Sequence, residues 1–302
     1  MTRAETLSVV VPAYNEEAYI GLCLKSLVAQ SDDLHEIIVV DNNSTDRTAA
    51  VVRAFMATEP KVKLLVETAP GVAHARNAGF RAATGDVLGR VDADTRVRPG
   101  WARAILDHLG AERAHVGAVT GLNLPYDSPV RGLEAWWFGR HLRKGAIGGG
   151  REVQNLHGAN MAIRRTAWRR VENLVSTDGH LHEDLDLALC LGAVDVRIAQ
   201  LSNMNVDVSP RRALTPPTQF HEYIDCGIRT FEHHGAMTPE KHKALRLHWW
   251  WHILVYAVYR PYDPAKRRYS LRYLIGPTRS RMLPVTADAA SVTVTQATQS
   301  TG

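Results

Sequence analysis

The chain has 302 residues, of which 45% are hydrophobic, enough to build one large domain or two unequal ones. Its formal net charge of +5 is compatible with anionic small molecules, a membrane surface or nucleic acid, and does not choose among them. The longest apolar run, 247–259, is interrupted by two histidines and is too short to span a bilayer. Three isolated cysteines without paired metal-ligand spacing predict a reduced, cytoplasmic compartment.

The first two hundred residues alternate between strand-like and helix-like patterns. Apolar, largely β-branched runs predict strands at 8–11, 37–40, 62–66 and 87–91. Ile20, Leu24 and Leu27 repeat at helical spacing, and a second helix is expected after a cap at Ser44 or Thr45. A third helix, over 74–83, is rich in small residues that allow close packing. Four strand–helix units predict an α/β fold, with a mostly parallel, doubly wound sheet flanked by helices.

The composition changes towards the C-terminal end. From 215 to 283 it is helical, aromatic and basic, which predicts a helical extension after a main domain over 1–214. Residues 284–302 are mostly Thr, Ala, Ser, Val and Gln without a hydrophobic period, which predicts a disordered tail.

Polar residues follow three of the predicted strands. Pro12, Ala13, Tyr14 and Glu16 come after the first strand, Asp41 after the second, and the Asp92–Ala93–Asp94 triplet after the fourth. The carboxyl ends of parallel strands meet at one edge of the sheet, so these residues are expected to line one crevice. Turn-forming residues alone explain any single cluster, but not the occurrence of such clusters after three of the strands.

The spacing of the two aspartates predicts a divalent metal site. Side chains two apart on an extended chain point the same way, so Asp92 and Asp94 can face one cation. Hard ions such as Mg²⁺ and Mn²⁺ take carboxylate oxygens and bridge to phosphates. The chain has neither a dinucleotide glycine fingerprint nor a Walker loop.

Six motifs occur in order over roughly residues 7 to 200, namely VVVPAYNEE, VVDNNSTDRT, GVAHARNAGFRAATGD, VDADT, HGANMAIRR and HEDLDLALCL. This ordered set resembles family 2 glycosyltransferases of GT-A fold. The resemblance implies a nucleotide-binding half at about 1–121 and an acceptor half at about 122–214. It also implies an inverting, metal-assisted transfer of a sugar from a nucleotide-diphosphate donor to an acceptor hydroxyl.

The resemblance also implies a role for each matching residue. Tyr14 would lie by the nucleobase, Pro12, Ala13 and Glu16 would contribute further donor contacts, and Asp41 would accept from the base edge. Arg76 would reach the base or diphosphate, and Asn160 would bind donor hydroxyls. Asp92 would hold the ribose or a metal-bound water, and Asp94 would ligate Mg²⁺ or Mn²⁺.

The resemblance points to Asp184 as the general base, with Glu183 as the fallback. Both lie at the start of a predicted helix, where the macrodipole favours anions. An acidic first turn is also common on helices without a catalytic role. Arg211 and His221 lie where relatives often place groups near the leaving diphosphate, although a basic loop with an exposed histidine is the favoured explanation for either residue taken singly.

One residue departs from the family pattern. Where many relatives are apolar, this chain has Arg90 just before Val91 and Asp92. A charge at this position needs a partner or solvent, which predicts a charged or more open crevice beside the fourth strand.

Two alternative functions remain open at the level of the sequence. A sugar-nucleotide nucleotidyltransferase would require a glycine- and arginine-rich loop after the first strand, where this chain has Tyr14–Asn15–Glu16. A non-catalytic nucleotide-sugar binding protein would be expected to lack the metal carboxylate or the base. The expected partners are a nucleotide-diphosphate sugar and an acceptor of unknown identity, without nucleic acid.

The segment 245–273 mixes tryptophan and tyrosine with cations, which is typical of a helix at a membrane interface. This would place a cytoplasmic protein at the inner face of the cell membrane. The other interpretation is a helix that packs its aromatic residues on the catalytic domain or on a second subunit. Packing is favoured because Trp249, Trp250 and Trp251 in succession point around the helix.

Overall fold

The computed structural model describes residues 5–110, 116–264 and 266–275, without the side chains of 274 and 275. These residues form two compact units. The first comprises the residues up to Leu124, Arg140–Thr177 and Glu183–Val208, and the second comprises Pro125–Gly139, Asp178–His182 and the residues from Ser209 onward. Three segments within 1–214, namely 125–139, 178–182 and 209–214, therefore belong to the second unit. The predicted disordered tail at 284–302 lies outside the described residues.

Four parallel strands form the first half of the main sheet. β1 (Leu7–Ala13) lies between β2 (Glu36–Asp41) and β4 (Val87–Arg90), and β3 (Val62–Val66) pairs with β2. β1, β2 and β4 are buried along their whole length, which explains why their sequences read as continuous apolar runs. The predicted parallel strands are confirmed.

Three helices connect these strands, namely α1 (Ile20–Val28), α2 (Thr48–Met56) and α3 (Val72–Ala82). The predicted cap of α2 is wrong. Ser44 Oγ instead accepts from the backbone N–H of Asn15 at 3.1 Å, and Asp46 Oδ1 accepts from the N–H of Thr48 at 2.8 Å. The close packing predicted for α3 is confirmed at Gly79, where a Cβ atom would overlap a methyl group of Val10.

The second half of the first unit extends this sheet with antiparallel strands, so the sheet as a whole is mixed. The added strands are β5 (Arg96–Val97), β6 (Val116–Pro125), β7 (Arg151–Val153), β8 (Met161–Arg164) and β9 (Arg197–Val208). β8 pairs with β4 and β6, while β9 pairs with β5 and β7, all antiparallel. The strand order is β3-β2-β1-β4-β8-β6-β9-β5.

Helices cover both faces of the sheet. On one face, α1 and α4 (Trp101–Leu109) pack on a cluster that includes Val9 and Val11. On the other face, α3, α6 (Arg165–Val171) and α7 (Glu183–Ala193) pack on a cluster that includes Val10. Alternate residues of β1 thus point into two cores, as the pleat of a strand requires.

The second unit is mainly helical. Its helices α8 (Pro217–His233) and α9 (Pro239–Tyr259) pack together, with the rings of Phe220 and His252 stacked at 3.5 Å between centroids. None of the helices in the described residues is long and apolar enough to cross a membrane. The remaining elements are α5 (Arg131–Arg143), which begins in this unit, β10 (Tyr262–Asp263), β11 (Arg268–Tyr269), α10 (Arg272–Ile275) and the 3₁₀ turns Ser31–Asp33 and Pro210–Leu214.

Glu36 on β2 is a buried carboxylate with four donors. Ser8 Oγ, Lys63 Nζ, and the backbone N–H and hydroxyl of Thr84 each donate to it at 2.7 Å. Burial acts to raise the pKa of Glu36, but these donors outweigh it and lower the pKa to about 2. Because the folded pKa lies below the unfolded value of 4.5, the stabilisation is present above that value and is lost as the pH falls towards 2.

We therefore expect Glu36→Gln to lower the free energy of unfolding at pH 7 by on the order of 2 kcal/mol. The variant should also lose less stability than the wild type between pH 4.5 and 2. Urea unfolding at a series of pH values measures both effects, with exposed Glu152→Gln as the control. Identical pH profiles for Glu36→Gln and the wild type would contradict the assignment.

Candidate functional site

The ends of three parallel strands lie side by side at one edge of the sheet. Ala13 at the end of β1 is paired with Asp41 at the end of β2, and Val10 of β1 is paired with Arg90 of β4. The polar segments that follow these strands therefore start from neighbouring positions. This is the edge at which open α/β sheets bind ligands.

The β1 and β2 ends present an exposed ring beside a buried carboxylate. Tyr14 is exposed, while Asp41 is largely buried and accepts from the N–H of Ser44 at 3.1 Å. Asn42 closes the neighbouring loop, because its side chain donates to Ala69 O at 2.7 Å and accepts from Gly71 N at 2.8 Å. The strand ends are thus held in place by the loop that leads into α3.

Three carboxylates surround one buried thiol after β4. Cys23 of α1 is fully buried, and its Sγ lies 3.6 Å from the carbonyl oxygen of Asp92. Burial raises the pKa of the Cys23 thiol, and the charges of Asp94, Asp92 and Glu16 raise it further. Asp94 and Glu16 are themselves buried. Asp92, Asp94 and Glu16 therefore lie close enough to Cys23 to create a negative potential at its thiol.

A buried ion cluster joins β4 to the start of α7. Arg90 donates through Nη1 to Glu183 Oε1, and through Nη2 to Asp92 Oδ1 at 3.0 Å. Arg76 of α3 donates to Glu183 Oε2 at 2.8 Å and to the Glu183 carbonyl oxygen at 2.6 Å. Both guanidinium groups are buried, and Arg76 also lies 6.0 Å from the ring centroid of Trp168. Burial raises the pKa of Glu183, and the two arginines act against that shift. We refer to Arg76, Arg90, Asp92 and Glu183 as the arginine cluster.

Gly158 lies against this cluster and contacts Asp184. A Cβ atom at Gly158 would stand 2.8 Å from the Arg90 Cζ, so glycine leaves the space that the guanidinium fills. The backbone N–H of Gly158 donates to Asp184 Oδ2 at 3.0 Å, and the N–H of Leu185 donates to Oδ1 at 2.9 Å. Asp184 is half-buried and oriented by two backbone donors at the N-terminus of α7.

Three predicted site residues are bonded within the protein, and their predicted roles stay predictions. Asn160 is fully buried and accepts from Trp101 Nε1 at 2.9 Å, while its amide donates to Met204 O at 3.0 Å. Arg76 is also fully buried and bonded to Glu183, and the Glu183 carboxylate is occupied by two arginines. Burial and hydrogen bonds thus hold Asn160 in place, and ion pairs hold Arg76 and Glu183.

Two further residues belong to the second unit. Arg211 Nε donates to Ser209 Oγ at 3.2 Å in the 3₁₀ turn, and His221 Nδ1 lies 2.9 Å from Asp225 Oδ2 one turn along α8. Their predicted place near the leaving group stays a prediction.

The sequence predicted that Arg90 needs a charged partner or solvent, but not which residue the partner is. A cation next to the Asp92 triplet, in a strand that is otherwise apolar, predicted a charged neighbour. The neighbour is Glu183, 93 residues away along the chain. Of the two predicted alternatives, a partner or solvent, Arg90 has charged partners in a buried ion pair.

The chain matches one protein family, Glycosyl transferase family 2, over residues 8–171. It is 34% identical over 125 residues to the glycosyltransferase GlyG of Streptococcus pneumoniae, covering 41% of each protein. It is 32% identical over 203 residues to the probable glycosyltransferase YdaM of Bacillus subtilis, covering 63% of this chain and 47% of YdaM. The chain spans less than half the length of these two curated relatives.

Solved structures share the fold. The mannosyltransferase PcManGT from Pyrobaculum calidifontis, in complex with GDP-Man and Mn²⁺, matches with a TM-score of 0.54 and 25% identity over 97% of this chain and 81% of that chain. Glucosyl-3-phosphoglycerate synthase from Mycobacterium tuberculosis, with Mn²⁺, UDP and phosphoglyceric acid, matches with a TM-score of 0.53 and 20% identity over 78% and 80%. The expected GT-A-type α/β fold is confirmed.

The arginine cluster yields a stability prediction. Arg90→Met leaves part of the buried Glu183 carboxylate without its partner, so we expect the free energy of unfolding to fall by about 3 kcal/mol. Arg103→Met, at an exposed ion pair on α4, should change it by at most about 1 kcal/mol. Urea unfolding measures both variants.

A double-mutant cycle separates the pairing from simple loss of packing. In Arg90→Met/Glu183→Gln the loss should be smaller than the sum of the two single losses, because the uncompensated charge is removed. Strictly additive losses would show that Arg90 and Glu183 do not interact.

Proposed function

Because this chain belongs to glycosyl transferase family 2, we propose that it transfers a sugar from a nucleotide-diphosphate donor to an acceptor hydroxyl with inversion at the anomeric carbon. One observation carries the proposal. Arg90 binds Asp92 on one side and Glu183 on the other, and Glu183 directly precedes Asp184. A single buried side chain therefore links one candidate metal carboxylate, Asp92, to the first turn of α7, which carries the candidate base.

The donor nucleoside binds at the ends of β1 and β2 in this proposal. The exposed ring of Tyr14 offers a face to the base, and the backbone of Pro12 and Ala13 offers the adjoining wall. Asp41 is fixed by its bond from Ser44 N and supplies an acceptor for a base or ribose donor. Glu16 is buried behind this surface, beside Cys23.

The residues after β4 fit a divalent cation. Asp94 is the principal ligand in this proposal, and Asp92 contributes while remaining paired with Arg90. Mg²⁺ or Mn²⁺ bound there would act as a Lewis acid that stabilises the charge of the leaving diphosphate. PcManGT and the mycobacterial synthase hold Mn²⁺ with their nucleotides, which supports the same choice for this chain.

Asp184 accepts the proton of the acceptor hydroxyl. Backbone N–H groups of Gly158 and Leu185 orient both of its oxygens, and the N-terminus of α7 stabilises its negative charge. Glu183 cannot serve equally well, because two buried guanidinium groups already occupy its oxygens. Arg76, Glu183 and Asn160 act as positioning residues in place of their predicted contacts with substrate.

We expect nucleotide-sugar binding to depend on Asp94. A thermal-shift panel of UDP, GDP and TDP sugars, each with and without Mn²⁺, should raise the Tm by about 5 °C with one donor only when Mn²⁺ is present. The neighbours that bind GDP-Man and UDP-Glc make these two donors the first to test. Asp94→Ala should abolish the shift, whereas Asp107→Ala, exposed on α4, should keep it. An unchanged Mn²⁺-dependent shift in Asp94→Ala would overturn the metal assignment.

Asp184→Asn tests the base. The amide oxygen can still accept from Gly158 N, so donor binding should persist, while kcat for transfer falls by about 10²–10⁴-fold. The measurement is turnover with the donor found in the panel, and Asp107→Asn is the matched control. Equal turnover by Asp184→Asn and the wild type would remove Asp184 as the base.

A further inference from the structure

Helix α9 has an inner face that packs on its own unit. Trp249 donates through Nε1 to the carbonyl oxygen of Pro217 at 3.0 Å. His252 is buried, with Nε2 at 2.8 Å from the carbonyl oxygen of Thr215 and its ring stacked on Phe220. The inner face of α9 is thus packed within its unit, and the aromatic residues on the opposite face of the helix lie outside this packing.

The outer face of α9 is an exposed apolar stripe. Leu247, Trp250, Trp251 and Leu254 are 57–63% exposed, and Val258 is exposed beyond them. Their spacing of three, four, seven and eleven residues places them along one side of the helix. The three consecutive tryptophans thus divide between two faces, with Trp249 inside and its two neighbours outside. A continuous exposed apolar patch of this kind marks an interaction surface.

A second group of exposed apolar residues lies on the helix to which α9 is joined. The hydroxyl of Tyr259 donates to Glu134 Oε1 at 3.0 Å, which ties the end of α9 to the start of α5. On α5, Leu133, Trp136 and Trp137 are exposed. The apolar surface therefore extends beyond one helix.

The charge around the stripe is almost entirely positive. Residues 241–273 contain eight Lys or Arg residues and one acidic residue, Asp263, which is buried and accepts from the Tyr273 hydroxyl at 2.9 Å. The exposed cations after α9 are Lys266, Arg267, Arg268 and Arg272, interleaved with exposed Tyr269 and Leu271. Aromatic and aliphatic groups beside a cluster of cations match the layered chemistry of an anionic bilayer surface.

A cavity of about 350 Å³ opens between α8 and α9 beside the stripe. It is lined by His221, Ile224, Arg246, Trp249 and Trp250. Arg246 is exposed at its wall and adds a positive charge beside the stripe.

We propose that the stripe of α9 and the basic segment 266–272 form a surface that binds anionic lipid at a membrane. A second copy of this chain fits less well, because a two-fold dimer would bring the same cationic patches together. The positive charge thus favours an anionic membrane over a second copy of the chain as the binding partner. The proposal stands independently of the transfer reaction.

Sedimentation of the full chain with vesicles tests this surface. The chain should bind vesicles of phosphatidylcholine with about 30% phosphatidylglycerol, and not vesicles of phosphatidylcholine alone. Binding should fall steeply when the salt concentration rises from about 0.1 M to about 1 M. Trp250→Ser/Trp251→Ser/Leu254→Ser should lower the partition coefficient by about 100-fold or more.

Matched variants distinguish the proposal from simpler explanations. Leu22→Ser/Leu174→Ser removes exposed apolar side chains from the first unit and should leave binding unchanged. Lys266→Gln/Arg268→Gln should lower binding by about fivefold per cation. Equal binding to neutral and anionic vesicles would overturn the proposal, as would equal binding by the stripe variant. A dimer in analytical ultracentrifugation that the stripe variant abolishes, without vesicle binding, would assign the stripe to a second copy instead.

Discussion

A guanidinium inside a β-sheet needs an anion, and here that need joins the two halves of the first unit. Arg90 lies on β4, with parallel β1 on one side and antiparallel β8 on the other. Removing such an ion from water costs several kcal/mol unless other groups replace its hydration. Glu183 and Asp92 replace it, and Glu183 is the first residue of α7. The first residue of α7 is therefore tied to the parallel strands by an ion pair, in addition to the packing of the helix on the cluster that includes Val10.

The remaining parts of the candidate site follow from this contact. The guanidinium of Arg90 fills the space above Gly158, so no side chain can stand there. The backbone of Gly158 is then free to approach α7 and to bind Asp184. Arg76 adds a second positive charge to Glu183 from α3. Asp184 and Asp186 of the same turn accept from backbone N–H groups instead, and of these two Asp186 is fully buried whereas Asp184 is partly exposed.

The sequence predicts the strands and the carboxylates at their ends better than it predicts the bonding partners of buried polar side chains. The parallel strands and the carboxylates at their ends were predictable, because apolar runs, strand direction and the common edge follow from local pattern and topology. The partners of Arg76, Arg90 and Asn160 were not. Each is bonded to a residue between 44 and 107 positions away along the chain, and residue type alone does not specify such pairs. A buried asparagine and a donor-binding asparagine look the same in sequence.

The positive charge of the chain is concentrated in one stretch near its C-terminal end. The stretch 241–273 carries eight cations and one carboxylate, which is more positive charge than the net +5 of the whole chain, so the rest of the chain is net negative. The net positive charge of the protein thus comes from a segment of the second unit. Within that site, Arg76 and Arg90 are both committed to Glu183. A diphosphate bound beside Asp92 and Asp94 would meet carboxylates, and the repulsion is removed if a divalent cation binds with it. The metal dependence proposed for this chain would therefore follow from the positions of Arg76 and Arg90.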